Sequence, residues 1–131
     1  MSILARSSTI TTSPAVIPLP SEPPPRLVVE APHPEQLKSG RVVIAYRAEN
    51  VRIVPIYGEA ALQVSPRVGH LHITVDDLPW HWLDASGEAI ALNGFHPGRH
   101  KVLVELADAT HHIVDRATVT FEIPRPIRSD P

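Results

Sequence analysis

Histidine is the residue type on which any chemistry of this chain would depend. All but one of its eight histidines fall between His70 and His112, and two of them form a His-x-His pair at His70 and His72. On a β-strand both side chains would point to the same face, from backbone positions about 6–7 Å apart. Imidazole is a good ligand for Zn, Cu and Fe, so this pair predicts part of a metal site.

A metal site of this kind needs more ligands than the His-x-His pair supplies. Open sites commonly have three protein ligands and leave a fourth position for water or substrate. His100 is the first choice for the third ligand, and His111 or His112 is a possible fourth. The chain has no cysteine, which excludes thiolate ligands, and its single methionine is Met1, which argues against thioether ligands. We therefore predict a histidine-rich domain that binds a divalent transition metal (Zn, Cu(II) or Fe), with an open coordination position for a small ligand.

The aromatic segment Trp80-His81-Trp82 is a second candidate site. In an extended chain the two tryptophans share one face and His81 points to the other. The tryptophans either pack in the core or in a subunit contact, or they wall a pocket that holds a planar or sugar-like small molecule. For the second case we predict a ligand pocket formed by Trp80, His81, Trp82 and Asp76.

A metal-independent enzyme is an alternative hypothesis for the same region. His72 or His81 would act as the general base, oriented by the carboxylate of Asp76, Asp77 or Asp84. The sequence has no G-x-S-x-G, phosphate-loop or dinucleotide-binding motif that would indicate a different catalytic chemistry.

A non-catalytic assembly module is the remaining alternative. Residues 1–25 are rich in serine and threonine and then in proline, a composition typical of a disordered or strap-like arm. Pro55 marks its β-rich run as an edge strand. The arm and this edge could contact another copy of the chain and form a homo-oligomer. After the arm we predict one domain at residues 26–124 and a short tail at 125–131.

The charge of the chain argues against two classes of partner. The formal net charge is -2 with neutral histidines, and the basic residues are scattered, so we expect neither nucleic acid nor an anionic membrane as a partner. No apolar run approaches the roughly 20 residues that span a bilayer. The start of the chain does not resemble a secretory leader. The expected location is therefore the cytoplasm, or the periplasm if a leader peptide is missing from the sequence.

The elements that must position these residues are strands. From His70 to Asp76 polar and apolar residues alternate, which predicts a strand with one buried face. Glu49-Asn50 separates two β-rich runs by the spacing of a tight hairpin. We predict about seven short strands, among them Arg26–Ala31, Arg41–Ala48, Val51–Tyr57, His70–Asp76, Arg99–Ala107 and His111–Ile123.

Short strands, frequent turn residues and the lack of a helical stripe predict an all-β fold, either an antiparallel immunoglobulin-like β-sandwich or a small barrel.

The strand faces predicted for the histidines conflict with the predicted ligand set. His100 shares a strand face with Val102 and Val104, which is a core face, whereas His70 opposes the apolar face of its own strand. The two histidines meet only inside a barrel or where strand ends curl.

The segment SPRVGHLHITVDDLPWHW, the run PGRHKVLVELAD and the closing VTFEIP carry a family resemblance. Together they resemble an uncharacterised bacterial family of small β-rich proteins with a G-H-x-H strand and a later P-G-x-H strand, over residues Leu27 to Pro124. The resemblance implies no activity. It implies that the residues of interest are His70, His72, Trp80, His81 and His100.

Overall fold

The structure is a computed structural model that describes residues 22–126. Within that range the chain forms nine strands and two short helices. The helices are α1 (Pro34–Leu37) and a 3-10 helix (Glu59–Gln63). In chain order the strands are β1 (Arg26–Val29), β2 (Val42–Ile44), β3 (Tyr46–Glu49), β4 (Arg52–Ile53), β5 (Val68–Val75), β6 (Trp82–Asp84), β7 (Ile90–Leu92), β8 (Gly98–Asp108) and β9 (Ile113–Ile123).

The main sheet is built on the long antiparallel pair β8 and β9. Strand β5 lies on the other side of β8, also antiparallel to it. Two short strands then share the far edge of β5. Strand β4 runs parallel to it at Val68 and Gly69, and β6 runs antiparallel to it from Leu71 to Ile73. Two antiparallel ribbons, β1 with β3 and β2 with β7, complete the strand pairing.

The core lies against one face of the main sheet, because the apolar residues of its strands recur at every second position. These core residues pack with those of the β2–β7 ribbon, and burial of each large side chain contributes about 1.5–3 kcal/mol. Leu71, Ile73, Val102, Val104 and Leu106 come from the main sheet, and Val42, Ile44 and Ile90 from the ribbon.

The opposite face of the main sheet has a smaller apolar cluster at one end. Val68 packs there with Ala61 of the 3-10 helix and with Ala109, which follows β8. His70 and His72 lie on this same face, at the next two alternate positions of β5. The segment between β4 and β5 therefore covers the end of the sheet face on which the His-x-His pair lies.

The predicted hairpin at Glu49-Asn50 is wrong. Strand β3 pairs with β1, and β4 pairs in parallel with β5, so the two runs do not pair with each other. Asn50 has a φ of 62°, which turns the chain out of line between them. Pro55 helps to limit β4 to two residues, since proline has no N–H to donate to a ladder. The run Arg41–Ala48 is likewise divided, because β2 and β3 belong to different ribbons.

The predicted β-rich class with antiparallel sheets is confirmed, and no sheet formed by residues 22–126 closes into a barrel. The immunoglobulin-like arrangement stays a prediction. Most of the predicted arm, residues 1–21, and most of the tail, residues 127–131, lie outside the described residues. The described end of the arm contacts the domain, where Glu22 accepts hydrogen bonds from Ser65 and from the backbone N–H of Arg67. No helix in the described part is long and apolar enough to span a membrane.

Candidate metal centre

Three histidine rings converge beside the 3-10 helix. Nε2 of His70 lies 3.0 Å from Nε2 of His72 and 3.0 Å from Nδ1 of His111, and the latter two atoms are 3.4 Å apart. His70 is fully buried, His72 is half-buried and His111 is exposed. The cluster thus reaches from the packed interior to the surface, with three ring nitrogens at the corners of one small triangle.

His111 reaches this cluster because of the turn between β8 and β9. Its φ of 69° lies in the left-handed region, and its N–H donates to the carbonyl of Asp108 at 3.0 Å. Oδ1 of Asp108 accepts hydrogen bonds from the N–H and hydroxyl of Thr110 and from the N–H of His112. These hydrogen bonds outweigh burial, which alone would raise the pKa of Asp108, and the net effect lowers that pKa. An ionised Asp108 therefore organises the turn that presents His111.

Gly69 permits β5 to approach β8 closely just before the first histidine. A Cβ atom at this position would lie 2.6 Å from the carbonyl oxygen of Ala107, a distance at which backbone atoms would have to shift. Ala107 is also the residue opposite His70 in the ladder. The glycine of the G-H-x-H motif thus sets the strand spacing at the position where the cluster is built.

The environment keeps the two histidines of β5 neutral near pH 7. Burial, followed by the neighbouring His72 and His111, lowers the pKa of His70 to about 4. Burial also lowers the pKa of His72, with further contributions from His81 and His111. Neutral imidazole is the form that binds a metal, since each ring then keeps one nitrogen lone pair.

Neutral imidazoles alone cannot satisfy this triangle of nitrogens. If Nε2 of His70 carries a proton, it can share that proton with both neighbours, but their lone pairs then face each other at 3.4 Å. If it carries none, either two N–H groups compete for its lone pair, or a single N–H is shared by two lone pairs that face each other. In addition, Nδ1 of His70 is buried without a hydrogen-bond partner. The arrangement leaves a buried polar group unpaired, which ordinarily costs stability.

A metal ion fits the triangle. Three nitrogens at about 2.0–2.1 Å from a tetrahedral ion would lie about 3.3 Å apart, and about 3 Å apart on one face of an octahedron. The observed edges of 3.0, 3.0 and 3.4 Å span these two values. Three lone pairs directed at one cation remove the conflict among the rings. His70, His72 and His111 are therefore close enough to hold a metal ion together.

Two further rings flank the cluster. Tyr57 stacks on His111, with ring centroids 6.1 Å apart and planes 16° apart, and meets His70 edge-on at 5.2 Å. The backbone of its segment is held by the N–H of Gly58, which donates to the carbonyl of Ala109 at 2.9 Å. On the other side, His81 stacks on His72 at 5.3 Å. Aromatic rings therefore border the site on both sides.

His100 lies elsewhere. It is on the core face of β8, as its alternation with Val102 requires, and the structure does not bring it to the cluster. Its Nδ1 donates to Oδ2 of Asp76 at 2.6 Å, and its Nε2 donates to the carbonyl of His96 at 2.7 Å. Burial lowers its pKa, but these two hydrogen bonds and the charge of Asp76 outweigh burial and raise it. With both nitrogens donating, His100 is a cation in an ion pair and has no lone pair for a metal.

The structure also separates the other predicted site residues. His112 is exposed and directs Nδ1 at the hydroxyl of Thr110, outside the cluster. Trp80, Trp82 and Asp76 line a cleft of about 300 Å³ with Phe95, whereas His81 stacks on His72 of the histidine cluster.

The carboxylates proposed to orient a histidine base have other partners. Asp76 binds His100, and Asp77 binds Lys101 at 2.7 Å. Asp84 accepts from the N–H and hydroxyl of Ser86, which closes a turn. The structure does not pair any of them with His72 or His81, as the metal-independent enzyme would require.

Tyr57 is the site residue that sequence reasoning missed. It falls at the end of the predicted strand Val51–Tyr57, and nothing in its local sequence pattern links it to a histidine. The available signal was Gly58, which has a φ of 100° and ends the β-rich run. A break in the strand at that point allows the ring to fold over the sheet face.

The fold and the site define a class of protein, a β-rich domain with a three-histidine cluster on the outer face of its main sheet. The chain belongs to DUF6130, a family of unknown function whose model matches residues 2–129. The predicted membership of an uncharacterised family is confirmed, whereas its bacterial origin and its two motifs stay predictions. Neither the curated proteins nor the solved structures contain a match.

Proposed function

We propose that this domain binds one divalent transition-metal ion through Nε2 of His70, Nε2 of His72 and Nδ1 of His111. The observation that carries the proposal is the convergence of these three nitrogens within 3.0 to 3.4 Å. His111 takes the place that the sequence prediction assigned first to His100. The low pKa of His70, about 4, supports binding because a proton competes poorly with the metal for that nitrogen.

The donor set favours borderline metals. Three neutral imidazoles suit Zn, Cu(II) and Fe(II), and the absence of thiolate from the sequence removes the preference for softer ions. Zinc is the first choice, because it commonly takes tetrahedral nitrogen sites. Three histidines fill three tetrahedral positions. The fourth is available to water, to a small ligand or to another side chain, and a zinc-bound water there would have a pKa near 7.

The proposal is tested by metal analysis of untagged protein, purified without chelator and then offered Zn, Cu(II) or, under reducing conditions, Fe(II). We expect about one ion per chain in the parent and almost none in His72→Ala, whose ring is only half-buried. His33→Ala is the matched control, since it removes an exposed histidine that is not part of the cluster.

Two results would contradict the proposal. One is a folded parent that takes up none of these ions. The other is equal loss of metal in His33→Ala and His72→Ala, because binding would then follow the number of histidines and not the cluster. Folding of each variant is checked by circular dichroism before metal is added.

A further inference from the structure

We propose that His81 is a fourth ligand of this metal site and that it closes the site by rotation of its side chain. This inference rests on the proposed function. The observation behind it is the position of His81, whose ring already stacks on His72, with centroids 5.3 Å and planes 23° apart.

The pairing of β6 with β5 places His81 on the correct face of the sheet. His72 is opposite Leu83, and Ile73 is opposite Trp82. Residues directly opposite in an antiparallel pair point to the same side, and so do residues two apart on one strand. His81 precedes Leu83 by two residues, so its side chain extends over the same face as His72.

The ring separations agree with a shared ion. Two imidazoles bound to one tetrahedral ion have ring centroids about 5 Å apart. Within the cluster the centroids of His70, His72 and His111 are separated by 4.9, 4.9 and 5.5 Å, and the separation of His81 from His72 lies in the same range. In this structure His81 is not within ligand distance of all three rings, so a rotation of its ring must complete the site.

The surroundings of His81 leave room for that rotation. The residue is exposed and lies just before β6 begins. It follows a turn in which Asp76 and Asp77 have φ values of 52° and 57°. Its ring contact is with His72, a contact that a common ion would replace.

Glu105 is the competing candidate for the fourth position. It lies opposite His72 on β8 and its charge acts on that histidine. However, its carboxylate is 3.4 Å from the guanidinium of Arg116. Binding the metal through Glu105 would break this ion pair, whereas binding through His81 breaks no hydrogen bond that the structure shows. The geometry therefore favours the histidine.

The fourth ligand decides what the site can do. With His81 bound, four nitrogens surround the ion and exclude small anions. With His81 rotated away, the ion keeps an exchangeable position. The position of the His81 side chain thus decides whether the ion is fully coordinated by protein or can bind an exchangeable ligand.

Cobalt(II) is the probe, because its visible absorption reports coordination number. Parent, His81→Ala and His96→Ala are each loaded with Co(II) and titrated with azide, and Zn affinity is measured by competition. His96 is an exposed loop histidine in the Trp80 cleft and serves as the control. We expect azide to change the spectrum of His81→Ala only. We also expect Zn affinity to fall in that variant by at least the roughly 10–100-fold that loss of an outer-shell partner costs.

His81→Asp strengthens the test, because a carboxylate at this position can restore a fourth ligand and with it resistance to azide. Equal azide responses and equal Zn affinities in parent and His81→Ala would overturn the role of His81 while leaving the three-histidine site intact. Failure of the folded parent to bind Co(II) or Zn would overturn the site itself, so the two failures are distinguishable.

Discussion

Replacing His70 by leucine should make the metal-free protein more stable while removing its response to metal. His70 is 0% exposed, and its Nδ1 has no hydrogen-bond partner. A buried unpaired polar group costs about 1–3 kcal/mol, and an apolar side chain of similar size removes that cost. In chelator, the free energy of unfolding should therefore rise by about 1–3 kcal/mol in His70→Leu. For a domain of this size that corresponds to a melting temperature higher by several degrees.

Bound metal should make the parent more stable than His70→Leu. An ion at 1,000 times its dissociation constant stabilises the protein that binds it by about 4.1 kcal/mol, which exceeds the advantage of His70→Leu in chelator. The parent should gain this amount and His70→Leu should gain nothing. The matched control is His72→Leu, which also removes a ligand. Because His72 is half-buried and water can reach its ring, that variant should lose the metal response without gaining stability in chelator.

The assay is urea unfolding followed by tryptophan fluorescence, with chelator and with saturating Zn. The reasoning is refuted if His70→Leu keeps the native circular dichroism spectrum but is less stable than the parent in chelator. That outcome would mean that the His70 ring stabilises the fold through its own contacts and is not retained at a cost for metal binding.

Three further predictions concern Gly69 and Asp108, which support the site, and Asp76, which pairs with His100 away from it. Gly69→Ala should lower stability by about 1–3 kcal/mol through overpacking against Ala107, measured by urea unfolding, and a neutral effect would show that the strands can separate there. Asp108→Ala should weaken Zn binding in a competition assay because the turn loses its three hydrogen bonds, and unchanged affinity would mean that the turn forms without them. Asp76→Asn should reduce stability most between about pH 4 and 6.5. Its pKa is lowered and that of His100 is raised, so their ion pair weakens as the pH falls through the first pKa or rises through the second. A difference in stability that does not change with pH up to 9 would contradict this account.

The strand that carries the His-x-His pair could be predicted because its pattern follows from covalent geometry. Successive side chains of a strand point to opposite sides, so the alternation around Leu71 and Ile73 required one buried face, and both residues are fully buried. The same rule separated His100 from His70. The structure places His100 on the core face, as the alternation of side chains indicated. Alternation was therefore a better guide to the ligand set than the P-G-x-H motif that contains His100.

The third ligand could not be predicted in the same way, because it depends on a turn conformation. The sequence pattern predicts His111 at the start of the last strand, whereas β9 begins at Ile113. The run Asp108-Ala109-Thr110 carries the local signal, since aspartate side chains commonly accept hydrogen bonds from the backbone two residues later. That signal predicts a turn, but the direction of the His111 ring follows only from the packed turn.

The pairing of strands was the least predictable part of the fold. Strand β5 shares one edge between two partners that run in opposite directions. No local pattern distinguishes this arrangement from a hairpin, since the alternation of a short strand does not identify its neighbour. The position of Tyr57 depends on this pairing and was missed for the same reason.

The cluster also joins distant parts of the chain, since His70 and His111 are 41 positions apart. An ion held by both would act as a removable cross-link between β5 and the turn at the end of β8. Such a link closes a long loop of the unfolded chain and lowers that chain's conformational entropy. The resulting stabilisation of the folded state grows with loop length. The metal would therefore also slow the separation of β5 from β8 when the chain is pulled or attacked by proteases.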